Sequence, residues 1–130
     1  MAKFVNLCPH LLRLRRNAAN VAAEPDTNDI VVDSVKGFDG KPAPARVSTT
    51  PGGRLADVNG VAAYGPTTFG VVEGLPEPQD GVVYLVSALV AGRPEVAGRN
   101  DVFVPGTGPK DGAVRDGAGQ IYAVTRLVQA

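Results

Sequence analysis

The stretch from Gly74 to Ser87, GLPEPQDGVVYLVS, does most to limit what this chain can fold into. Pro76 and Pro78 each hold φ near about −65° and lack a backbone donor, so their corner belongs neither to a helix interior nor to a central strand. Behind it, Val82-Val83-Tyr84-Leu85-Val86 runs without a charged residue. That is the composition of a strand buried on both faces. A β core with rigid corners follows.

The same punctuation recurs throughout. Sixteen Gly and eleven Pro are scattered between short apolar runs, the pattern of many short strands joined by tight turns. Lys3 to Leu7 alternates and is broken at Pro9. Leu11 to Arg16 resumes with a period of two, Leu12 and Leu14 against Arg13 and Arg15. Ile30 to Val35, Ala45 to Thr50 and Thr67 to Glu73 read as strands. Leu55 to Val58, Asn59-Gly60 and Val61 to Tyr64 form the clearest hairpin, because Asn-Gly suits a turn whose two central residues both need positive φ. Ser87 is placed to cap a short helix through Ala91. Val102 to Val104 and Gly119 to Val128 complete the set. The expected fold is mainly β, a single domain over residues 1–130, forming a small barrel or sandwich of about eight short strands with one short helix. The loops at 37–44 and 105–118 are least explained by packing, which makes them candidates for function.

Charge narrows the partners. Thirteen basic and thirteen acidic side chains cancel, and the aromatics are four Phe and three Tyr with no Trp. Nucleic acid is disfavoured as a partner, for want of both long-range attraction and stacking surface. No run approaches the roughly 20 apolar residues of a membrane span. Met1 to Asn6 lacks a secretory apolar segment, so the expectation is a product that stays in the cytoplasm on synthesis or leaves inside a particle.

No complete catalytic set can be assembled. Cys8 and His10 lie two apart, on one face if the strand were regular, yet this is the single Cys and the single His. A metal site would lack further ligands and a Cys–His pair would lack an orienting group; a turn is the simpler reading. Gly106-Thr107-Gly108-Pro109-Lys110 lacks the spacing of a phosphate loop. Glu73 and Glu77 are simplest as surface acids. The arginines are the candidates for binding. Arg13, Arg15 and Arg16 form one basic cluster, either a solvated edge that blocks strand pairing or a partner or anion contact. Arg99 before Asp101, and Arg115 before Asp116, read first as internal ion pairs or carbonyl clamps, with ligand contact as the alternative. Neither cofactor nor metal is expected.

The order of blocks resembles a set of small proteins of actinobacteria and their phages for which no activity is known. It is carried by Phe4 to His10, Ala45 to Ser48, Gly74 through Ala91, Arg99 to Gly106 and Val114 to Gly119. The resemblance implies a genetic setting and no mechanism. Together these readings lead to a non-enzymatic binding or structural protein, phage-derived, docking in virion assembly or decorating a head, through a protein partner or self-association. The alternative is a soluble protein that binds or sequesters a small phosphate-bearing, nucleotide-like signal.

Overall fold

A computed structural model describes residues 2–130. At its centre are four strands: β1 (Lys3–Asn6), β8 (Val82–Leu85), β9 (Val102–Pro105) and β12 (Leu127–Gln129), side by side in that order. β1 and β9 both run parallel to β8, and β12 closes antiparallel on β9. The apolar run behind the proline corner is therefore an interior strand. Its alternate side chains feed two separate cores. Tyr84 and Val86 enter a cluster with Leu7, Val90, Val96 and Val102. Leu85 enters the opposite cluster with Cys8, Leu12, Leu14 and Val124. Burial on both faces explains why no charged residue interrupts it.

The first core is covered by α1 (Ala88–Ala91), which belongs to the connection from β8 to β9. Its N-cap is Ser87, whose hydroxyl accepts from the Val90 N–H. The second core is covered by an antiparallel pair, β2 (Leu12–Arg15) and β3 (Asp29–Val32), and by Val124. β10 (Val114–Arg115) pairs with β11 (Ile121–Ala123) nearby. The sheets do not close into a barrel.

The described chain holds twelve strands where the sequence reading expects about eight. The differences lie at the end, where β10 (Val114–Arg115) falls in the 105–118 stretch read as a loop and the last run divides. The run from Gly119 to Val128 is two strands, because Val124 leaves β10 and exchanges backbone hydrogen bonds with Arg13 and Arg15. The chain then turns so that β12 can pair with β9.

One part departs from the layers. β4 (Arg46–Thr50) pairs with β7 (Thr68–Glu73), and β5 (Arg54–Val58) pairs with β6 (Val61–Tyr64) inside them. Residues 46–73 thus form one nested two-stranded ribbon, an arm. Ala45 and Val72 root it in the first core, and the Arg93 guanidinium lies 3.6 Å over the Phe69 ring. Beyond the root almost every residue is exposed. At the tip Asn59 and Gly60 have φ of 49° and 81°, as the Asn-Gly turn requires. Midway, Pro51-Gly52-Gly53 faces Gly65-Pro66 in an elbow. A Cβ on Gly52 would stand 2.4 Å from the backbone of Gly65, so only glycine lets the strands pass this closely.

Candidate docking surfaces

Within the arginine cluster, Arg16 is exposed and Arg13 half-buried, but Arg15 is not part of a solvated edge. Arg15 is 3% exposed, and all five of its N–H donors are spent. Nε and one Nη2 hydrogen meet the Asp29 carboxylate; the others meet the carbonyls of Asn20, Ala22 and Glu24. A guanidinium has no further donors, so Arg15 has none to offer an anion or partner. It clamps the 17–28 segment onto β2, and its hydrogen bonds hold Asp29 well below the usual carboxylate range, with help from the Asp26 N–H and Arg13. This burial corrects the expectation of an exposed edge at Arg15, and the reason is that loop carbonyls converge on β2.

Arg99 behaves alike. It holds Asp101 through two hydrogen bonds and the Pro76 carbonyl through two more, pinning the proline corner and lowering the Asp101 pKa. Arg115 reaches the carbonyls of Gly119 and Thr107, whereas Asp116 accepts from Ala118 and Gln120. Arg16 meets the carbonyls of Asn28 and Thr27 at the surface. Arg13 differs from these. Its Nη1 meets Asp29 and its guanidinium lies 4.9 Å over the Tyr122 ring, and among the described residues no acceptor takes its other donors.

Cys8 and His10 are on opposite sides of their turn. Cys8 is in the second core, and burial pushes its thiol up to about 11. His10 is exposed. The bend between them is organised by Asn6, 1% exposed, whose amide donates to the carbonyls of His10 and Val32 and accepts from the Cys8 N–H. Beside it opens a cleft of about 420 Å³ lined by His10, Arg13, Thr107, Gln120 and Tyr122. Sequence reasoning missed it because β11 and β2 meet only in the fold. Glu73 faces Arg46 at 3.9 Å, while Glu77 gives its carbonyl to the Tyr84 hydroxyl. In the 105–118 loop, the Gly108 N–H is occupied by Asp111. The 37–44 loop closes on itself through Gly37 and Lys41 and leaves Phe38 wholly exposed.

The arm carries six exposed large hydrophobic residues, Leu55, Val58, Val61, Tyr64, Phe69 and Val71. Its pairing sets Leu55 against Ala63 and Val58 against Val61, with a register shift between them. Alternation in β6 puts Val61 and Ala63 on one face, so Leu55, Val58, Val61 and Ala63 share that face. Arg54 and Tyr64 pair on the other. Leu55, Val58 and Val61 are 55%, 62% and 66% exposed. The sequence signals the hairpin, through Asn59-Gly60 between Pro51-Gly52 and Gly65-Pro66, but not its exposure.

No family model, curated protein or solved structure matches the chain. Among the described residues no helix is long and apolar enough to cross a membrane.

Proposed function

We propose that this chain is a non-enzymatic structural protein that docks onto protein surfaces through its arm, in the assembly or outer decoration of a phage head. The observation that supports the reading is the one-sided apolar ribbon at 54–64. A two-stranded hairpin without a covering layer is marginal in water. An exposed apolar patch of this kind marks a contact surface. Rigid corners and clamped loops suit a module that binds by shape and strand addition. The phage setting is supported by the block resemblance described above.

The test is co-sedimentation with purified heads. The chain should pellet with particles, and Val58→Asp with Val61→Asp should remain in the supernatant while staying folded by circular dichroism. Equal pelleting of both would reject the arm as the contact.

A second reading rests on the cleft at Arg13. Uncommitted guanidinium donors, His10 and the Tyr122 ring would suit a phosphate-bearing small molecule. Calorimetric titration with nucleotides, against Arg13→Ala, decides it: saturable binding lost in the variant supports a soluble binder, and absence of heat removes that reading.

A further inference from the structure

We propose that the occupant of the arm is a second copy of this chain, received in the apolar groove between α1 and the open edge of β12; this rests on the docking reading above. Three observations select that partner.

The first is charge. The arm's four charged residues pair with one another, Arg46 with Glu73 and Arg54 with Asp57. The arm is therefore neutral, and nothing on it would draw a nucleic acid, an anionic membrane or a strongly charged protein. The whole chain also carries zero formal charge, so two copies meet without repulsion.

The second is a complementary site on the body. A groove of about 500 Å³ is lined by Ala88, Ala91, Gly92, Val104, Pro105 and Val128. Most of its wall is small or apolar, as an apolar strand face requires, and Thr107, Asp111 and Gln129 are its polar members. Val128, 44% exposed, lies on its rim, and Leu89, 45% exposed, is on the same helix. β12 is the last strand of the central sheet, and among the described residues nothing pairs with its outer edge. Unpaired N–H and C=O groups beside an apolar groove are what an incoming strand needs.

The third is size and position. The apolar face covers Leu55 to Ala63, and with arms exchanged both ways each copy brings one such face and one groove to the same interface, approaching the roughly 20–30 residues a side of a stable one. Its root packs beside α1. Arm and groove therefore lie on the same side of the central sheet, so a copy that receives an arm can offer its own.

The experiment uses the full chain in light scattering after size exclusion, over micromolar to hundred-micromolar concentrations. Wild type should give a mass that is a multiple of the monomer. An arm variant, Val58→Asp with Val61→Asp, and a groove variant, Val128→Lys, should each weaken association by about 100-fold or more, since each loses a buried apolar contact and buries a charge. These positions are exposed, so the body stays folded. An equimolar mixture of the two variants should recover heterodimers, because one intact arm and one intact groove remain.

A second measurement covers an arm that unfolds on charging. Val61→Cys in one copy and Val128→Cys in the other should form a mixed disulfide, against a background in which buried Cys8 is silent. A wild type that stays monomeric throughout, or association untouched by both variants, overturns the proposal. If such a monomer still pellets with heads through its arm, the docking reading survives alone. If copies pair through the arm yet never bind heads, the self-association stands and the decoration reading falls.

Discussion

Asn6, Arg15 and Ser34 show how differently three buried polar residues can behave. Asn6 satisfies two carbonyls and one N–H at the turn that sends β1 towards β2. Replacing it with Ala leaves the buried Cys8 N–H and two partly buried carbonyls without this partner, and Asn6→Ala should lose about 1–3 kcal/mol in denaturant melts. Ser34 is the reverse case. Its hydroxyl is buried and meets no partner among the described residues, so Ser34→Ala should be neutral or raise Tm slightly, unlike most core substitutions. Arg15 and Asp29 act together, with a pH signature. The folded pKa of Asp29 lies below its unfolded value, so its contribution is complete above that value, near pH 4, and is lost as pH falls below it. Asp26 and Asp101 are lowered as well, by hydrogen bonds from Asn28 and Arg99 respectively, and add the same sign. Tm should be level from about pH 7 to 5 and fall steeply below about 4. Asp29→Asn should lower Tm at neutral pH and flatten the acid slope; an unchanged slope would mean that the clamp contributes no linkage.

At the scale of elements, the arm and the central sheet obey opposite rules. β8 is stabilised by cores on both faces, while β5 and β6 have only each other and a good turn. Amide exchange should follow that division, with Val82 to Leu85 protected to the level of global unfolding and residues 54–64 exchanging by local opening. The elbow is the sensitive point. Gly52→Ala forces a Cβ into the Gly65 backbone, so exchange in 54–64 should accelerate by about tenfold or more while β8 is unaffected. Uniform acceleration would show that the arm is part of the core unit.

For the whole molecule, association and stability are linked. If folded copies bind one another, Tm rises with protein concentration. That dependence should appear in wild type and vanish in Val58→Asp with Val61→Asp, leaving a single concentration-independent transition. Thiol accessibility gives a complementary check. Cys8 is buried and its pKa raised to about 11, so disulfide reagents should label it only on unfolding, more slowly in the associated wild type than in the arm variant. Rapid labelling of the native protein would mean that the second core opens independently.

Local chemistry in the sequence determined the strands, the Ser87 cap, the Asn59-Gly60 turn and the buried run behind Pro76 and Pro78. Each is set by backbone restriction or by a periodicity spanning only a few residues. Tertiary structure decided what those elements face. Nothing within Leu12 to Arg16 says that carbonyls from residues 20–24 converge on Arg15, because that depends on where a loop returns. Nothing within Val47 to Val72 says that the hairpin leaves the body, because exposure is fixed by the absence of a covering layer. Gly119 to Val128 reads as one strand until two neighbours, β2 and β9, compete for its hydrogen bonds and divide it. Pattern specifies a strand's faces; only packing specifies whether a face meets a core, a loop or another molecule.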